Sequence, residues 1–139
     1  MSAMSNYLEA ALLAHIFQNS AYTGPTTVYV ALGTAGADGS FTELSGNGYA
    51  RVGVTCNSTN WAGPTGNNGT VANGTAITFP APSGGHWNGG SSFGYFAIFD
   101  ASSSGNMLFW GALDTAQTVL STNSAPSIAI GSLSIQIDN

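Results

Sequence analysis

The chain has 139 residues, of which 43% are hydrophobic and only 5% are charged, for a formal net charge of −5. One basic residue, Arg51, stands against six acidic ones, too few cations to displace counterions from nucleic acid or to dock on an anionic membrane. The length suits a single domain spanning 1–139, with about two-thirds of the unfolded chain's surface buried on folding.

The N-terminus lacks a basic region followed by an apolar stretch, so no signal peptide is predicted, and no apolar run approaches the ~20 residues of a membrane span. Residues 6–18 form the one predicted helix, with Asn6 as its cap and Glu9 three residues on. Leu8, Leu12, Ile16 and Phe17 share one helical face, Ala10, Ala11 and Ala14 favour helix, and Asn19-Ser20 and Gly24-Pro25 end it. The pattern then turns to β over a domain of about 26–138. Residues 26–32 (TTVYVAL) form a β-branched strand, and 35–48 a loop with Asp38-Gly39 as a tight turn. Residues 49–56 alternate, with Val52, Val54 and Cys56 on one face.

The Gly/Asn/Thr-rich stretch 57–74 has no period and reads as a long surface loop with Trp61 tucked back as an anchor. Residues 76–79 (AITF) make a short strand, and 83–92 a Gly-rich loop holding His86 and Trp87. The aromatic run 93–99 (FGYFAIF) is predicted as a central strand, 100–106 as a turn, and 107–113 (MLFWGAL) as its hairpin partner, with a further strand at 115–120. The last strand, 128–137, switches parity at Gly131-Ser132, where a β-bulge would restore the facing. The predicted fold is therefore mainly β: a β-sandwich or barrel of about seven short antiparallel strands with one N-terminal helix.

Groups for catalysis are sparse. His15 flanks the helix stripe and reads as a packing or interface residue rather than a base, and His86 sits in a loop too flexible for a preorganised site. No nucleophile elbow, metalloprotease helix, Cys-x-x-Cys or phosphate loop occurs. Asp38, Glu43, Asp100, Asp114 and Asp138 lie singly, and Asp100 reads as a turn initiator. No metal or cofactor is expected, and the protein is expected not to be an enzyme. Cys56, the sole cysteine, reads as a small buried hydrophobe ahead of a reactive thiol. The three glycosylation-like triplets at Asn57, Asn68 and Asn73 read as ordinary loop sequence.

Arg51 is expected either to satisfy a carboxylate or loop carbonyls, or to bridge subunits. Trp61 and Trp87, both in predicted loops, are interface anchors in this reading. The candidate interface residues are thus Leu8, Leu12, His15, Ile16, Arg51, Trp61 and Trp87.

Five stretches carry a resemblance: 5–32 (SNYLEAALLAHIFQNSAYTGPTTVYVAL), 46–52 (GNGYARV), 76–80 (AITFP), 93–113 (FGYFAIFDASSSGNMLFWGAL) and the closing LSIQI. Together they resemble a family of small tailed-phage virion proteins, often labelled phage tail fibre protein, with related chains that look like capsid cement or decoration proteins. The resemblance implies a structural virion protein with no catalytic residues. The leading expectation is a capsid cement protein on the outer surface of the capsid, bridging major capsid protein subunits and forming a homo-oligomer, a trimer by preference. The alternative is a tail or fibre component that binds host surface glycans through Trp61 and Trp87. A cell-wall hydrolase ranks last.

Overall fold

The computed structural model describes residues 2–66 and 69–137. Asn68 and Asp138, both singled out above, lie outside the described residues.

The centre of the fold is the aromatic run expected to be central. Strand β8 (Phe93–Phe99) pairs antiparallel with β9 (Met107–Gln117) on one side and with β2 (Thr27–Ala35) on the other. Two chain segments share the far edge of β2: β3 (Thr42–Glu43) meets its C-terminal end and β4 (Val52–Thr55) its N-terminal half. Strand β1 (Ser2–Met4) completes the sheet at the β9 edge. The sequence did not announce β1, because three residues are too few to show a period. The order β1-β9-β8-β2-β3 leaves the sheet open, so the barrel alternative is set aside.

Strict alternation sorts the sheet's side chains. Val30, Leu32, Phe96 and Ile98 face one way, into the main core; Ala31, Ala97 and Phe99 face the other. Strand β9 departs from the rule. Ile98 opposes Phe109 and Phe99 opposes Met107, so Leu108 is an extra residue, and both Leu108 and Phe109 pack with the main core.

Two smaller sheets close that core in a sandwich-like arrangement: the ladder β7 (Ile77–Thr78) with β10 (Ser127–Ile128), and the sheet β11 (Ser134–Ile135), β6 (Thr70–Asn73), β5 (Trp61–Thr65). Here the structure corrects two expectations. The 57–74 stretch is not a loop but carries the β5–β6 hairpin; its Gly and Asn residues hid the pairing. The predicted strand 128–137 with a bulge is two strands in different sheets, separated by a turn with Gly131 at φ +74°.

Asn73 organises that separation. It is 0% exposed. Its Nδ2 donates to the carbonyls of Thr75 and Ala129, its Oδ1 accepts the Leu133 N–H, and its backbone carbonyl accepts the Gly131 N–H. The glycosylation-like triplet at Asn73 is therefore an internal polar clamp. Asn73→Ala is expected to lower stability by about 2–3 kcal/mol, because it strands two carbonyls and a buried N–H. Urea titration should show a lower midpoint with an unchanged slope.

The helix α1 (Asn6–Phe17) follows β1. Its cap is Ser5 rather than the expected Asn6: the Ser5 hydroxyl accepts the Leu8 N–H and donates to the Met107 carbonyl, while the Asn6 N–H goes to Asp38 Oδ2 at 2.8 Å. Asn19, at φ 54°, ends it. Strand β1 meets the segment after β11, with Gln136 N–H donating to Ser2 Oγ at 2.8 Å.

Candidate interaction surfaces

The residues marked for interfaces fall into three classes. The first is internal. Trp87 is 0% exposed, with its ring edge-on to Tyr49 at 5.2 Å and to Phe79 at 6.2 Å. This corrects its reading as a solvent-facing anchor. The Gly-rich segment folds inward through a tight turn (Trp87–Gly90) with Asn88 and Gly89 in the left-handed region, pinned by Trp87 N–H to the Val119 carbonyl and by Ser121 N–H to His86 Nδ1. His86 therefore holds a loop in place instead of waiting in a mobile one. Leu8 is also buried, against its own sheet.

Arg51 belongs to this class. Its Nε and Nη2 bind the Glu43 carboxylate at 2.7–3.1 Å, and Nη1 donates to the carbonyls of Ala101 and Ser104. The guanidinium lies 3.6 Å from the centroid of the Phe99 ring. Of the two readings of Arg51, the structure realises the intramolecular one. The carbonyls it binds sit in the 100–106 turn, which Asp100 ties off by accepting the Asn106 N–H and side-chain amide. Gly105 is required there: at φ +74°, an added Cβ would lie 2.5 Å from Asp100 Oδ1.

Beside this pair, the Tyr49 hydroxyl accepts the Leu32 N–H at 2.9 Å and lies 3.1 Å from Glu43 Oε1. Burial, followed by the Glu43 charge, raises its pKa far above the ordinary tyrosine value. The folded state thus holds a proton that the unfolded chain releases above about pH 10, so stability falls as pH rises past that point. Alkaline denaturation monitored by circular dichroism should begin there, coinciding with a delayed rise in tyrosinate absorbance.

The second class borders a groove. Trp61 is half-buried and lines an open groove of about 410 Å³ with Val28, Pro64, Val71, Phe109 and Ile137. The walls are almost wholly apolar, and the Trp61 Nε1 is buried with no partner. Cys56 lies on the rim and is exposed, not a buried hydrophobe as expected: it follows the end of β4, where the strand leaves the sheet. Partial desolvation of the thiol at the groove rim pushes its pKa up, which disfavours the reactive thiolate.

The third class is outward-facing. Of the expected helix stripe, Leu8 is buried and Leu12 half-buried, but Ile16 and Phe17 are 68% and 78% exposed, and Leu13 is 57% exposed. Leu8 and Leu12 are the large apolar side chains of α1 that reach the core. His15 is exposed, with Nδ1 3.1 Å from the Ser20 carbonyl. A further cleft of about 350 Å³ lies at the helix start, among Tyr7, Asp38, Phe41 and Asn106. Among the described residues, no cluster of three or more His, Cys, Asp or Glu side chains could hold a metal.

The sequence model of the family described as podophage GP4 fiber I protein gp80 matches residues 3–136. The chain belongs to that family. The match runs from β1 to the residue after β11, so it takes in every element described above. No curated protein matches the chain. Membership in the gp80 family makes this a phage structural protein of virion type. The resemblance seen in the sequence stands at that level. The family's description speaks of a fibre and not of a capsid shell.

Proposed function

We propose that this protein is a non-enzymatic structural component of a phage fibre, acting through packed surfaces rather than through chemistry. The observation that carries the proposal is the gp80 family match over 3–136. The side chains support it. Arg51 and Glu43 neutralise each other, Tyr49 is held protonated, and the His86 Nδ1 accepts a backbone N–H. These groups are spent on holding the fold. What the surface offers instead is apolar area and uncharged polar groups, which lose little solvation when covered.

The fibre reading takes precedence over a cement protein bound to the major capsid protein. Copy number in purified virions, by quantitative mass spectrometry against the major capsid protein, tests it. A few copies per particle, co-purifying with tails, is the expected result. A copy number near that of the major capsid protein would return the chain to the shell. Release of soluble fragments from host cell-wall material would overturn the non-enzymatic part.

A further inference from the structure

Helix α1 is apolar nearly all round, and a helix of that kind is normally buried on all sides. This one is buried on a single side. Ala10, Leu13 and Phe17 recur at the three-and-four spacing of a coiled-coil seam on the side away from the sheet, flanked by Ala14 and Ile16. The small alanines let another helix approach closely. We infer that this seam is a self-association surface, covered by the same face of a second copy of the chain.

Charge and area both favour a second copy. The outward face carries one charge, Glu9, in the first turn, and the chain's only cation is bound to Glu43. A charged partner would find nothing to pair with along the seam, whereas an identical apolar face matches it. Leu13, Ile16 and Phe17, exposed at 57%, 68% and 78%, present on the order of 400 Å² per copy, taking ~200 Å² for a large apolar side chain. A pair of copies would bury up to about 800 Å² from these residues, and exposed Ala10 adds to it, approaching the ~1,000 Å² of a specific interface. A contiguous exposed apolar patch of this size, within the ~300–600 Å² of the largest patch on a typical monomer, is often a functional surface.

The inference does not depend on where in the virion the chain sits. Sedimentation velocity of the 14.0 kDa chain at tens of micromolar tests it. The wild type should run at two or more times the monomer mass. The triple variant Leu13→Ser, Ile16→Ser, Phe17→Ser should run as a monomer with unchanged far-UV circular dichroism, while Ile130→Ser, elsewhere on the surface, should not change the mass. Should the triple variant fail to fold, Leu13→Cys in a Cys56→Ser background gives a second readout. Oxidation should link copies through Cys at this position and not through Ile130→Cys. A monomeric wild type, a triple variant that stays associated, or a monomer that instead binds neutral phosphatidylcholine vesicles would each overturn the inference. None of those results would alter the fibre assignment, which rests on copy number and location.

Discussion

Trp87→Ala is expected to remove a large share of the protein's stability. The ring is wholly enclosed and stands edge-on to two other rings, Tyr49 and Phe79, which themselves lie 6.5 Å apart. Removing it deletes the centre of a three-ring cluster and leaves a cavity between Tyr49 and Phe79. Truncations of this kind cost about 3–5 kcal/mol, a large share of the ~5–15 kcal/mol that holds a domain folded. The melting temperature should fall by about 10–20 °C. Trp87→Phe should be much milder, because it keeps most of the packing and removes an indole N–H that has no partner. Thermal unfolding followed by near-UV circular dichroism measures both. A loss of less than about 3 °C for Trp87→Ala would mean that the Trp87–Gly90 turn opens independently of the core.

Arg51→Met should be nearly as damaging, by a different route. The Arg51 side chain is 7% exposed and its partner Glu43 26%. Loss of the guanidinium leaves the carboxylate without its cation, frees the carbonyls of Ala101 and Ser104, and uncovers the Phe99 ring. Breaking one side of such a pair costs about 3–5 kcal/mol, most of it from the charge left behind. That origin gives the experiment its control. Arg51→Met combined with Glu43→Gln should recover a large part of the loss, since no uncompensated charge remains. A double variant as unstable as the single one would show that the carbonyl contacts and the Phe99 stacking, not the ion pair, supply the stability.

Both substitutions fall on residues that the sequence marked as special: Trp87 it placed at the surface, while for Arg51 it offered the pairing with a carboxylate and loop carbonyls that the structure shows. Trp87 stands in a Gly-rich segment, and segments of that composition are usually exposed. Nothing local says that Val119 and Ser121, more than thirty residues on, will supply the hydrogen bonds that turn it inward. Arg51 was legible as a residue needing acceptors, but which ones depended on β2 bringing β3 and β4 to one edge and on the β8–β9 turn reaching over them. The helix tells the same story in reverse. Its existence and both ends were close to readable, yet the stripe expected to pack includes Ile16 and Phe17, which point to solvent. An apolar side chain at helical spacing shows that something should cover it, and only the fold shows whether its own chain does.

Local pattern sufficed for the mainly β character, the N-terminal helix and the central strand Phe93–Phe99, whose bounds are those expected. The low charge content, 5% of residues, is likewise a matter of composition alone. Each of these follows from composition or from a period within a few residues. Tertiary structure alone decided the β5–β6 hairpin, the division of the last strand by Asn73, and the division of the tryptophans between core and groove. Those outcomes rest on hydrogen bonds and ring contacts between residues far apart in the chain, such as Asn73 with Leu133, where local pattern carries no information.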